Sequence, residues 1–192
     1  SKTSDIKRKT ILTGTLGNKS RRKLLPGLDD VLDGEVVVRL EQAGDGPRTV
    51  EADVSGAAVS IPWLGWTKGA GIGGKVTLTA ETDEGVTRVS DLRFSGEGFS
   101  VAGDLAFRGA TLDSANFSTV RLSADARFRV KVDRGKTGYR VVADGEAADV
   151  RQVLARLKNA TGGSGGDKQG ASVEARLSRA VATSTGALPP RP

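Results

Sequence analysis

The sequence predicts a mainly β fold: a long, curved antiparallel sheet forming an open groove, a meander of about eight to ten strands with one short helix. Three observations carry that expectation. First, residues 120–133 (VRLSADARFRVKVD) alternate apolar and polar without a break, the period-two pattern of a strand with one greasy and one wet face. Second, similar stretches recur about every ten residues with turn signals between them. Third, aromatics make up only 4% of the 192 residues and glycine accounts for 26, which suits a turn-rich sheet with a smooth Val/Ala face.

In chain order, residues 6–16 are a Gly-interrupted strand candidate, apolar at Ile6, Leu12 and Leu16. A basic loop at 18–23 follows, and Leu24-Leu25-Pro26-Gly27 breaks the chain. Residues 35–42 read as a strand with Val36, Val38 and Leu40 on one face, and Gly44-Asp45-Gly46-Pro47 as a turn. Residues 48–61 change phase: Val50, Ala52 and Val54 are even, Ala57, Val59 and Ile61 odd. A bulge at Gly56 would keep both triplets on one side and is the favoured reading; two short strands with a bend is the alternative. Residues 75–82 alternate, turn through Asp83-Glu84-Gly85, and continue as strands over 86–94, 99–107 and 116–122. Residues 138–145 pair as a hairpin with the long alternating stretch.

Asp149 reads as an N-cap for a helix over 149–158, with Val150, Val153, Leu154 and Leu157 on one side. Residues 159–170 read as a flexible Gly/Ser-rich linker, 171–182 as a further strand and 183–192 as a disordered tail. The domain expectation is a single β-groove unit over 1–182 with a basic leading segment, 1–23. A strand that restarts so near the tail suggests a fragment of a longer sheet, and a start at Ser1 is that of a processed protein or excised domain.

The absence of Cys and His removes thiol nucleophiles, disulfides, Cys/His zinc sites and serine mechanisms with an imidazole base. The formal charge of +6 invites a nucleic-acid reading, but it is concentrated: residues 1–23 hold eight basic residues and one acid, the rest 21 basic and 22 acidic. No aromatic interleaves the basic residues to stack a base, so nucleic acid is disfavoured; a plain solvated edge is the favoured reading of this segment and an anionic surface the alternative. No apolar run approaches the ~20 residues that cross a bilayer as a helix.

Gly69-Ala70-Gly71-Ile72-Gly73-Gly74-Lys75-Val76 matches a glycine-rich phosphate fingerprint. Val76 stands where a P-loop needs a hydroxyl for magnesium, and a strand pattern follows where a helix is required, so the expectation is a plain loop with no nucleotide and no cofactor. The acid pairs Asp29/Asp30 and Asp83/Glu84 lie in turns with no apolar surroundings to raise a pKa, and no catalytic constellation emerges, which makes an enzyme the least favoured class. Both tryptophans fall in Ile61-Pro62-Trp63-Leu64-Gly65-Trp66-Thr67-Lys68, expected to fold over the rim of the sheet. There Trp63, Leu64, Trp66 and Lys68 would close the apolar layer or meet a membrane interface or partner.

The run EADVSGAAVSIPWLGWTKGAGIGGKVTLTA (51–80) and the later GYRVVADGEAADVRQVL (138–154) resemble the AsmA-like C-terminal region of the large YhdP-type envelope proteins of Gram-negative bacteria. The resemblance covers most of residues 48–158. It implies a curved sheet with an apolar inside, in a protein anchored to the inner membrane, extending through the periplasm and moving phospholipid towards the outer membrane. It brings no catalytic residue or cofactor. The basic residues 1–23 and the Gly-Ser stretch at 162–166 depart from that family's pattern.

Together these readings give an expected lipid-bearing face made of Val76, Leu78, Phe99, Val101, Leu105, Phe107, Val120, Leu122, Phe128, Val130, Val132, Tyr139 and Val141. The partners expected are phospholipid, neighbouring β-segments of the same parent chain, and the inner-membrane anchor or other envelope proteins. The alternatives are a structural or protein-interaction domain whose apolar face is closed by its own helix and loops, and anionic-surface binding through residues 1–23.

Overall fold

The structure is a computed structural model; it describes residues 8–24, 31–61, 66–109, 111–123, 127–136, 138–145 and 170–177. The elements in chain order are β1 (Lys9–Leu16), α1 (Asn18–Leu24), β2 (Leu32–Gly34), β3 (Val36–Ala43), β4 (Arg48–Asp53), β5 (Ala57–Ile61), β6 (Trp66–Lys68) and β7 (Gly74–Asp83). After them come β8 (Val86–Gly96), β9 (Phe99–Arg108), β10 (Thr111–Arg121), β11 (Arg127–Arg134), β12 (Gly138–Gly145) and β13 (Gly170–Leu177). Ten strands form one sheet in the order β1-β3-β4-β7-β8-β9-β10-β11-β12-β13, not closed into a barrel, and β2-β5-β6 form a second, small sheet. The expected mainly β, largely antiparallel sheet with a short helix is therefore the fold.

Cross-strand pairs show how the apolar residues share a face. Val38 lies opposite Ala52, Ala52 opposite Val76, Val76 opposite Phe94, Phe94 opposite Val101, Val101 opposite Val120, and Val120 opposite Phe128. One apolar row thus crosses seven strands from β3 to β11 on a single side, with polar and charged residues on the other. The pairing slips at Thr77/Thr79, Val89/Leu92, Leu112/Ser114 and Phe117/Val120. Each bulge adds a residue to one strand, bends it and raises the local twist. Asp91 sits in the β8 bulge with φ 53, and its N–H donates to Asp104 Oδ1 at 3.2 Å. The turn expected at 83–85 is a two-residue hairpin, Glu84-Gly85, with φ 47 and 76, the left-handed pair that matches strand twist.

Several expectations are corrected. The alternating stretch 120–133 is two strands: β10 ends at Arg121, Leu122 and Ser123 bend away, and β11 starts at Arg127. Val120 and Phe128 are paired across the hairpin and both even-numbered, so the turn preserves parity and period two does not reveal it. The segment 48–61 is not one bulged strand. β4 stays in the large sheet while β5 belongs to the small one, and Val54 N–H is bonded to Gly74 O at 2.9 Å where the chain leaves the large sheet.

The basic loop expected at 18–23 is helix α1, docked on β2. Asn18 Oδ1 accepts from Gly34 N–H at 2.9 Å, and Arg21, 2% exposed, donates to Asn18 Oδ1 and to Gly34 O. Arg21 is thus a structural clamp, not part of an anionic-surface patch. Lys9, also in the basic segment, lies 2.8 Å from Glu41, whose carboxyl it and Arg39 hold below the usual range.

β13 pairs with β12 in parallel, not as another antiparallel turn of the meander. The expected helix at 149–158, the linker up to residue 169 and the tail at 183–192 lie outside the described residues, and Gly170 opens β13. Among the described residues no helix is long and apolar enough to cross a membrane.

Gly103 of β9 is buried against β10; a Cβ there would stand 2.4 Å from Asn116 O and 2.7 Å from Phe117 Cα. Gly14 of β1 has open space around it. Gly103→Ala is expected to lower the unfolding free energy by about 2 kcal/mol, whereas Gly14→Ala should be within about 0.5 kcal/mol of the parent. Chemical denaturation of the two variants side by side checks this.

Candidate functional site

Where β7 to β11 curve, their apolar side chains surround a cavity of about 360 Å³. Its lining is Val76, Leu92, Phe94, Val101, Phe117, Val120, Phe128 and Val130 from the large sheet, with Val31, Leu32, Val54, Val59 and Ile61 from the chain that covers it. Not one lining residue is polar. In a flat sheet, β7 and β11 would be about 19 Å apart, so residues of both can border one small cavity only because the bulges have bent the sheet. The cover is the small sheet: Val54, Ala57 and Val59 are buried with Val36, and Trp66, Val76 and Phe94 pack on them.

The cover is held by two polar devices. Trp66 stacks edge-on against Phe94 and Phe99, with centroids 6.0 and 5.0 Å away, and its Nε1–H donates to Leu122 O at 3.1 Å. That bond ties β6 to the far side of the groove, at the end of β10. Lys68, 2% exposed, donates through Nζ to Ala57 O at 2.7 Å, Ile72 O at 2.8 Å and Gly69 O at 3.1 Å. Burial pushes its pKa down, and the charge of Asp53 offsets part of that shift. Three carbonyls satisfy the three donors of the ammonium, which is how a lysine tolerates such a position.

All thirteen residues expected on the lipid-bearing face lie on the concave side. Val76, Val101, Val120, Phe128 and Val130 line the cavity. Phe99, 4% exposed, is the floor under Trp66. Val141 is buried with Val120, Phe128 and Val130, and Leu122 and Val132 pack against that cluster. Leu78, Leu105, Phe107 and Tyr139 are half-buried further along the strands, outside the cavity, and the Tyr139 hydroxyl donates to Leu112 O at 3.0 Å. The face is buried in the middle and open towards β1, where Leu12, opposite Leu40, is 61% exposed.

The rim expectation is corrected at two positions. Trp66 and Lys68 belong to strand β6 of the cover, not to an irregular rim loop, and Lys68 is buried inside it. Trp63 and Leu64 lie outside the described residues. Eight lining residues fall outside the thirteen of the expected face. Leu92, Phe94 and Phe117 stand next to bulges, where alternation changes phase; Val54, Val59 and Ile61 alternate as expected but, with Val31 and Leu32, reach the groove from the chain that covers it, an arrangement with no local signature.

The glycine-rich segment 69–74 is no phosphate cradle. Its carbonyls at Gly69 and Ile72 turn towards Lys68, its Gly71 and Gly74 N–H groups are taken by Ser55, and strand β7 follows it. Asp83 and Glu84 are exposed in the β7–β8 turn, and Asp29 and Asp30 lie outside the described residues.

No protein-family model, curated protein or solved structure matches the chain. The likeness to the AsmA-like region stands on the residues quoted for it above.

Lys68→Met removes the charge and leaves three buried carbonyls without a donor. It is expected to cost about 3 kcal/mol in a urea titration. Trp66→Phe keeps most of the ring packing but loses the bond to Leu122 O, an expected cost of about 1 kcal/mol.

Proposed function

We propose that the chain is a lipid-carrying segment of a bacterial envelope protein, holding phospholipid acyl chains on its concave face while head groups stay in water. The observation that carries this reading is the cavity lined by apolar residues alone, in a face that stays open towards β1. Its volume of about 360 Å³ falls at the small end of the range of ligand sites, and no lining group could orient a polar ligand. Acyl chains need none: each buried methylene contributes about 0.8 kcal/mol, so ten of them give about 8 kcal/mol without a single hydrogen bond. Ten aliphatic residues and three phenylalanines make up the lining, so it can hold a chain through apolar packing alone.

The resemblance to AsmA-like proteins supports the same reading. It extends the proposal to a location in the periplasm, to anchoring at the inner membrane through other parts of a parent chain, and to phospholipid passage between the two membranes. Neighbouring β-segments of that parent would continue the sheet at its edges.

The test is native mass spectrometry of the purified chain after incubation with phosphatidylethanolamine vesicles. Parent protein should retain lipid. Val76→Gln and Leu92→Gln, at half-buried lining positions, should lower retention at least tenfold without loss of the β-sheet circular dichroism signal. Val37→Gln, on the convex face and 48% exposed, should retain lipid like the parent. Equal retention in all three variants, or none in the parent, would refute the proposal. Val130→Asp is a poor probe here, since Val130 is 5% exposed and a carboxylate there unfolds the core.

A further inference from the structure

The apolar cavity has a closed end. Its lining residues Phe94, Val101 and Val120 form a row just inside the end of the sheet, where Gly96 faces Phe99 and Leu122 follows β10. A Cβ on Gly96 would stand 2.5 Å from the Phe99 ring, so that ring lies across the neighbouring strand. Trp66 packs on it with ring centroids 5.0 Å apart, and Phe94 touches both rings, at 6.0 Å from Trp66 and 4.8 Å from Phe99. Trp66 also stands directly opposite Ile61, which borders the cavity. The indole is therefore the next side chain beyond the lining on the cover, as Phe99 is on the large sheet.

Beyond these two rings is a smaller depression of about 290 Å³, bordered by Trp66, Phe99 and Leu122 together with Glu97, Gly98 and Ser123. It lies on the same side of the sheet as the cavity, since Leu122 packs with Val120 and Phe128. The two spaces have no lining residue in common, and Trp66 and Phe99 stand between them. In the opposite direction the apolar face runs on through Val89 and Leu105 to Phe107, all half-buried.

We propose that Trp66 and Phe99 form a wall that stops the methyl end of an acyl chain and so sets the length of chain the groove takes. The proposal rests on the acyl-chain reading of the groove. A lining without one polar group makes entry of a head group costly, so the tail goes in first. The wall it meets is held in place: Phe99 is 4% exposed, and the Trp66 Nε1–H is bonded to Leu122 O at 3.1 Å. From Val101 to Phe107, β9 spans about 20 Å. One leaflet of a bilayer core is about 15 Å thick, so a single membrane-length chain fits between the wall and Phe107. Methylenes beyond that length stay outside the covered part and add little to binding.

Tryptophan fluorescence with brominated fatty acids tests this, because bromine quenches an indole only at close range. In Trp63→Phe, Trp66 is the sole indole. Its emission should be quenched at least threefold more by ω-bromohexadecanoic acid, brominated at the methyl end, than by α-bromohexadecanoic acid, brominated beside the carboxylate, with binding of both followed by calorimetry. For unbranched fatty acids, the affinity of the parent should rise about fourfold per methylene up to a limiting length and stop there. In Trp66→Leu, which joins the cavity to the outer depression, that limit should move up by about four methylenes, within the ~7 Å that separates the Phe99 and Val101 positions. Equal quenching by the two acids while both are bound, or an unchanged limit in a folded Trp66→Leu, overturns the wall and leaves the groove reading standing. Failure of the parent to bind either acid overturns the groove reading itself. The quenching comparison needs no change in the wall, so it decides the proposal even where Trp66→Leu does not fold.

Discussion

A sheet that carries its apolar residues on one face has to cover that face or bend it out of water, and every other feature of this molecule follows from how that is done. The row from Val38 to Phe128 crosses seven strands, far too much apolar surface for a short cover to shield. Bulges in β8 and β10 turn the sheet instead, so that Val76 and Val130, four strands apart, border one cavity. The bulges keep a second promise as well. Without the extra residues in β10, Phe117 and Val120 could not both face inward, because their spacing of three puts them on opposite sides of a regular strand.

Curvature alone leaves the end near Phe99 exposed, and the small sheet closes it. The cover adds apolar side chains of its own, and its position is fixed by Trp66 reaching Leu122 O and by Lys68 gathering the carbonyls of Ala57, Gly69 and Ile72. A buried ammonium is a costly way to hold a loop, but its donors match the acceptors in number, and the glycine-rich turn supplies two of the three carbonyls. The lysine stem is closely packed at Gly74, where a Cβ would lie 2.9 Å from Val54 and 3.1 Å from the Lys68 chain. Arg21 does similar work on the other flank, fastening α1 to Gly34. Residues that look like surface charge in this chain are, at these two positions, structural.

The groove is part core and part open face. The buried cluster around Val120, Phe128, Val130, Val141 and Ala143 holds the sheet together, while half-buried neighbours such as Val76, Leu92 and Val101 border the cavity, the space the proposed acyl chain would fill. The same strand that supplies Phe128 to the inside supplies Arg127 and Arg129 to the outside.

Period two by itself determined which face of each strand is apolar, and for that reason all thirteen residues assigned to the face share it. That legibility is local: alternation depends only on neighbouring residues and survives whatever the sheet does. Turns that preserve parity, such as the one between Val120 and Phe128, leave no trace in it. Bulges appear only as a change of phase, which looks the same as a new strand, as residues 48–61 demonstrated. Partners distant in sequence are less legible still. That Trp66 would bond the carbonyl of Leu122, that β5 would leave the large sheet, and that Lys68 would be buried were decided by tertiary structure. They depend on the angle at which a curved sheet presents its end to a returning chain, and no stretch of a dozen residues contains that angle.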